Sequence, residues 1–416
     1  MSMLKSNGLF VVAFRSLLAI AGPLLFIAPS ALQAQETVKI AQIVPLSGPF
    51  GKAGDQLAKT FQFLADRINA KGGMGGKKVE FLFYDSKLSP KESIIAAEKA
   101  IDAGARIVSA ASGSSVAAAL NDFIAKHNKR NPDKETLLFH YNTWDPATTD
   151  KTCMFWQFRF TAHTDMKLLA LTKYLRSKPK VKKIYLINQN YSYGRSISVS
   201  GRKYLEAAGF TIVGDDLHPV GKVRDFSPYV TKIRKSGADA VLTGNWGNDL
   251  TLLAKAIAGS GLKIDIYTFA GNTAGVATAI GKAGLGILKV IDDWDGQIGD
   301  PALDKMLTEF KTKTGYDFAY LRGKVMMDML TRAVTRAGSV NARKIAAQIS
   351  GMKYTNATGE WVMRAADHQI SQPIFISSLT DNVKHGLEKT SMGYSADAKI
   401  KRADVVTPVK CRISAP

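Results

Sequence analysis

The chain has 416 residues, more than one core of ordinary size holds. Hydrophobic residues make up 46% and charged residues 22%, which excludes a mostly disordered chain, and no apolar run beyond the N-terminus suggests a polytopic membrane protein. Lys and Arg outnumber Asp and Glu by 56 to 35, a net charge of +21 that suits nucleic acid, an anionic surface or an anionic ligand, while two cysteines are too few for a disulfide scaffold or an ordinary zinc site.

The N-terminus reads as a secretory signal peptide over residues 1–34. Lys5 and Arg15 precede an apolar run at 16–28, no acid appears before Glu36, and Ala31-Leu32-Gln33-Ala34 offers a small residue at the cut. The run is too short to span a membrane and is broken by Gly22-Pro23. The mature chain is expected to begin near Gln35 and to work outside the cytoplasm. Export disfavours nucleic acid as the partner of the basic charge.

Past residue 35 the sequence alternates two periodicities. Val38-Lys39-Ile40-Ala41-Gln42-Ile43-Val44 predicts a strand and Leu46-Ser47-Gly48-Pro49 a turn; Leu57, Phe61, Leu64, Ala65 and Ile68 then fall on one helical face. Gly72-Gly73-Met74-Gly75-Gly76 stops that helix before the strand Val79-Glu80-Phe81-Leu82-Phe83-Tyr84. Further strands are predicted near 107, 137–140, 184–187, 240–243 and 266–269, with helices near 94–102, 116–127, 166–175 and 250–258 between them. Alternating strands and helices imply an α/β fold with parallel sheets covered on both faces, and the number of units implies two such lobes. Ligands of such lobes lie beyond the carboxyl ends of the strands. The segment from 385 onward has weak periodicity and is expected to wrap the lobes without much structure.

No enzyme signature survives inspection. Gly51-Lys52-Ala53 lacks the spacing and hydroxyl of a phosphate loop, and Gly281-Lys282-Ala283-Gly284-Leu285-Gly286 has the wrong register for a dinucleotide fingerprint. No Gly-x-Ser-x-Gly elbow occurs, and the six histidines are scattered. Asp367-His368 beside Arg364 and Gln369 reads as a structural hydrogen-bonding cluster. No catalytic residue, metal or cofactor is called.

Several motifs together carry a resemblance. Val44-Pro45-Leu46-Ser47-Gly48-Pro49 with Gly54-Asp55-Gln56, Gly113-Ser114-Ser115, Asn190-Tyr191-Ser192-Tyr193-Gly194 and Ser236-Gly237-Ala238-Asp239-Ala240-Val241 resemble, in order and spacing, the periplasmic Leu/Ile/Val-binding proteins of branched-chain amino-acid ABC transporters. The resemblance implies two Rossmann-like lobes of the type I periplasmic binding protein fold, joined by three crossings and closing over a small ligand. It divides the chain into lobe 1 at 35–160 plus 292–366, lobe 2 at 161–291 plus 367–385, and a tail at 386–416. The implied partners are a small molecule and membrane permease subunits, for a chain acting as a monomer. The implied ligand is a branched-chain amino acid or a related small carboxylate or amide; binding of aromatic carboxylates, or ligand sensing on the same fold, stands as the alternative.

The candidate ligand-binding residues follow. Ser112, Ser114 and Ser115 end a strand and open a helix, where amides and hydroxyls suit a carboxylate; a simple helix cap is the other reading. Asn142, Thr143 and Trp144 follow the next strand, with Trp144 as a ring wall. Asp165 matches the position at which the family binds the ligand amine, or it only caps the helix near Met166. Tyr193 and Trp246 match aromatics that face the cleft. Ala53 stands where an aromatic is frequent and widens the pocket, and Asn272 stands near the position of an ammonium-pairing acid. Cys153 and Cys411, an even pair in an exported chain, are expected to form a disulfide.

Overall fold

Apolar alternation and helical periodicity translate into alternating strands and helices along the chain. The computed structural model describes residues 8–10, 36–110 and 113–414. Met1–Gln35 and Glu36–Pro416 are two units, and the second carries all the helices and strands of the described residues. Apart from residues 8–10, the segment expected as a signal peptide lies outside the described residues, as does Ser112. Among the described residues no helix is long and apolar enough to cross a membrane.

The first sheet contains β1 (Thr37–Val44), β2 (Lys78–Asp85), β3 (Ile107–Ala110), β4 (Leu137–His140) and β5 (Gln157–Arg159), all parallel in the order β2-β1-β3-β4-β5. The second is built on β6 (Lys183–Gln189), β7 (Thr211–His218), β8 (Ala240–Thr243), β9 (Asp265–Thr268) and β10 (Leu288–Asp292). A small antiparallel sheet of β11 (Lys353–Asn356), β12 (Gly359–Met363) and β13 (Ile370–Ser371) comes next in the chain. Then β14 (Ile374–Thr380) and β15 (Gly393–Ile400) return antiparallel to the second sheet, completing the order β15-β14-β10-β9-β8-β6-β7.

Each large sheet has its own hydrophobic core. The first draws on residues 38–160 and 294–370. The second draws on 162–291 and 374–405, with Phe50 and Trp144 added from the first stretch. The chain therefore passes between cores at 161, at 292–293 and at 371–373. The first and third passages run side by side, with Arg159 N donating to His368 O (2.9 Å) and Gln369 Nε2 to Thr161 O (2.8 Å). Arg364, Asp367 and Gln369 form the expected structural cluster, the Asp367 carboxylate accepting from Arg364 Nε (3.0 Å) and Gln369 N (3.1 Å).

The expectation of a tail without much structure is overturned. β15 is an edge strand of the second sheet, and its inner face buries Tyr394 and Ile400. The signal was weak in the sequence because the strand's middle, from Ser395 to Lys399, is mostly exposed and polar or small. Beyond it, Val405 packs on the second core, Arg364 Nη1 donates to Thr407 O (2.6 Å), and Lys410 pairs with Asp150 (2.6 Å). Cys411 is joined to Cys153 across a sequence separation of 258.

Two glycines fix how each sheet meets its helix. A Cβ on Gly54 would come within 1.9 Å of Pro45 O, and one on Gly194 within 1.7 Å of Gln189 O. Only glycine lets the first turn of each helix approach the strand end before it so closely.

Candidate functional site

Strand order reverses between β1 and β3 in one sheet and between β6 and β8 in the other. Loops leaving adjacent strands in opposite directions open a crevice at each such point. Residues from both crevices line one cavity: Ala53, Gly113 and Ser114 from the first, Tyr191, Tyr193 and Trp246 from the second.

On the first core, Gly113 adopts φ 83°, and a Cβ there would lie 2.9 Å from Leu88 Cδ1. It precedes the helix Ser114–Arg130, whose first-turn amides have no carbonyl within the helix. Ser114 Oγ accepts from Trp144 N (3.3 Å) and Asp145 N (3.2 Å), so the hydroxyl fixes the loop after β4. The Trp144 indole donates to Thr161 Oγ1 (3.1 Å) and its ring lies 5.3 Å from that of Tyr193.

On the second core, Trp246 Nε1 donates to the Tyr191 hydroxyl (2.9 Å). Tyr193 lines the same cavity, and its hydroxyl is buried without a partner. The cores are closed on one another. Phe50 leaves the first core to stack on Trp246 at 4.1 Å, over Gly247, where a Cβ would meet the Phe50 ring at 2.6 Å. Ser115 and Ser192 hydroxyls also meet across the gap at 3.2 Å.

Behind the cavity lies a buried charge cluster at the second crossing. Arg322 Nη1 donates to both oxygens of Asp292 (2.9 and 3.1 Å) and to Asp293 (2.6 Å), and Nη2 donates to Asn142 Oδ1 (2.7 Å). Asp292 also accepts from Asn272 Nδ2 (2.9 Å) and faces Lys167 Nζ (3.4 Å), which sits 4.5 Å from the centre of the Trp144 ring. Burial opposes ionisation of Asp292, but Arg322 and Lys167 outweigh it and hold the carboxyl well below its usual range. Burial and the Asp292 charge push Asp293 up to about 7. The split follows the contacts, since Asp292 is held by Arg322, Lys167 and Asn272, whereas Arg322 is the one cation that hydrogen-bonds Asp293.

Of the residues nominated from sequence, Ser114, Asn142, Trp144, Tyr193, Trp246 and Asn272 line the cavity, and so does Ala53. Ser115 is engaged with Ser192, and Thr143 is buried beside the loop without lining the space. Asp165 does not line the cavity, and no side chain caps its helix. Its carboxylate accepts from Ser200 Oγ (2.6 Å) and Tyr204 OH (3.1 Å) and lies 3.7 Å from Lys410, away from the cavity. The family position predicts its place on the first turn but not the direction in which neighbouring hydroxyls draw it. Tyr320, Arg322, Lys167, Asp292 and Asp293 were not singled out from sequence. Arg322 and Asn142 are 180 residues apart, and no local pattern joins them.

Comparison with known proteins agrees with this geometry. Residues 37–384 match the family described as periplasmic binding protein. The chain is 28% identical over 401 residues to Leu/Ile/Val-binding protein homolog 4 of Brucella abortus, covering 94% of this chain and 96% of that protein. It is 25% identical over 330 residues to the leucine-, isoleucine-, valine-, threonine- and alanine-binding protein of Pseudomonas aeruginosa, covering 78% and 85%. The crystal structure of the leucine-, isoleucine-, valine-, threonine- and alanine-binding protein from Brucella ovis, in a closed conformation, superposes with a TM-score of 0.83 at 28% identity, covering 92% of this chain and all of that one.

Proposed function

The chain belongs to the periplasmic binding protein family, and from that premise we propose that it is the extracytoplasmic solute-binding component of an ABC importer. It holds a branched-chain amino acid or a related small carboxylate or amide between its two cores and delivers it to permease subunits in the membrane. It works as a monomer in the periplasm after a signal peptide is removed near Ala34, and it binds and releases its solute without chemical change. The two lobes correspond to the two hydrophobic cores, with the C-terminal segment belonging to the second.

One observation carries the proposal: a single cavity is walled by the switch points of both sheets, with Phe50 of one core seated against Trp246 of the other. A solute touching both walls stabilises the closed arrangement over the open one, which is the differential affinity that a binding-driven closure needs. The three passages between cores lie at element ends, where a few backbone torsions absorb such a motion. A thermal-shift screen of amino acids, amides and small carboxylic acids tests it, because a solute bound only by the native state raises the melting temperature. Small-angle scattering with the best solute is expected to show a smaller radius of gyration than without it. An identical profile, with no solute shifting the melting temperature, would remove the proposal.

A further inference from the structure

We propose that the solute held in this cavity is a carboxylic acid that carries no ammonium group, its carboxylate recognised by Arg322 and Tyr193 and its less polar body held between aromatic rings. The proposal rests on the solute-binding function above and narrows the solute.

The first argument is what the wall lacks. No Asp or Glu is among the described residues lining the cavity, and Arg322 is the one charged side chain among them. Ala111 and Ser112, which precede Gly113, bring no acid either. The nearby carboxylates of Asp292 and Asp293 are already engaged by Arg322, with Lys167 and Asn272 on Asp292 as well. An ammonium entering this space would leave water for a wall that offers a guanidinium and no free anion. Burying an uncompensated charge is heavily unfavourable.

The second argument is what the wall offers. Arg322 and Tyr193 line the cavity, and Arg322 Nε and the Tyr193 hydroxyl are buried without a hydrogen-bond partner. Buried donors left without acceptors are costly, and one carboxylate supplies acceptors for both. The helix opening at Ser114, itself a lining residue, brings first-turn amides to the cavity's edge. Asp293, pushed up to about 7, is only partly ionised near neutral pH, so Arg322 and Lys167 face less than two full carboxylate charges. The cluster behind the wall is thus biased toward an anion. Trp144, Tyr191, Tyr193, Trp246 and Tyr320 supply ring surface for an apolar or flat body.

Calorimetric titration of the solute-free protein separates the classes with four probes: leucine, leucinamide, 4-methylpentanoate (leucine without its amino group) and 4-hydroxybenzoate. At least one of the two acids is expected to bind tenfold or more tighter than leucine, with leucinamide not binding. Leucine binding as tightly as 4-methylpentanoate and 4-hydroxybenzoate, leucinamide competing, or neither acid binding would each overturn the proposal. Tyr193→Phe is expected to weaken the acid about tenfold while leaving the melting temperature of the solute-free protein unchanged or higher, since the hydroxyl it removes is unpartnered. Unchanged acid affinity in that variant would also count against it. The broader function fails separately: it falls when no solute of any class shifts the melting temperature, whereas this narrower claim falls when the solute found carries an ammonium.

Discussion

Lys167 and Arg322 approach the same carboxylate, Asp292, from opposite cores. Lys167 belongs to the helix Thr164–Leu175 of the second core and Arg322 to the helix Leu321–Ala337 of the first, while Asp292 ends β10 where the chain crosses between them. All three are almost fully buried, so Lys167 depends on that carboxylate for compensation and Arg322 on it together with Asp293.

Asp292→Asn is therefore expected to destabilise the protein by about 3–5 kcal/mol, the range for a buried pair with one partner removed. Urea unfolding of the solute-free protein measures it. Adding Lys167→Met to that variant is expected to recover part of the loss, because it removes a cation left with less compensation. A cost under about 1 kcal/mol, typical of a surface pair, would show that water reaches the cluster.

Phe50, from the first stretch of chain, is buried against the second core, its ring lying 4.1 Å from that of Trp246. Phe50→Ala is expected to weaken solute binding about tenfold or more by favouring the open arrangement. The melting temperature of the solute-free protein should fall much less than for an ordinary core phenylalanine, whose truncation costs about 3–5 kcal/mol. A large fall with unchanged affinity would place Phe50 in the core of the open form as well.

Cys153 and Cys411 close a loop of sequence separation 258 and anchor the last turn of chain beside the first crossing. The chain-entropy argument gives about 5 kcal/mol for a loop of that length. Reduction, or Cys411→Ser, is expected to lower the denaturant midpoint and to increase hydrogen exchange at the amide of Ile413, which donates to Ala366 O. Equal midpoints for oxidised and reduced protein would contradict this.

Three buried histidines make the fold sensitive to acid. Burial, helped by Arg159, holds His140 down at about 3; burial alone outweighs two backbone hydrogen bonds to hold His368 at about 4; and burial with Arg159, Arg364 and Lys410 nearby holds His163 well below its ordinary value. Free histidine titrates near about 6.5, so below that value the unfolded chain binds protons that the folded chain refuses. Their contribution is fully present above about 6.5 and is lost as pH falls toward the folded values. Each tenfold difference in proton affinity between the two states is worth about 1.4 kcal/mol. Denaturant midpoints should decline steadily from pH 6.5 to about 4. His140→Gln is expected to make that decline shallower, and an unchanged slope would assign it to other groups.

Much of this protein was legible in one dimension. Strand and helix periodicity are set by neighbours two to four residues apart, so β1, the glycine stop at 72–76 and the strand–helix alternation followed from local pattern. The loops that carry Ser114, Trp144, Tyr193 and Trp246 were also legible, because strand ends in such folds are where solutes sit. Three features were not. β15 hides because an edge strand with an exposed polar middle lacks an apolar alternation, and only its pairing with β14 shows it. Asp165 faces away from the cavity because Ser200 and Tyr204, 35 and 39 residues later, accommodate its carboxylate. The cluster of Lys167, Asp292, Asp293 and Arg322 exists only once two helices and a crossing strand converge, with partners 30 and 125 residues apart. Local composition determines which elements form; the strength of a buried charge, and so the kind of solute beside it, depends on neighbours that the chain brings together only by folding.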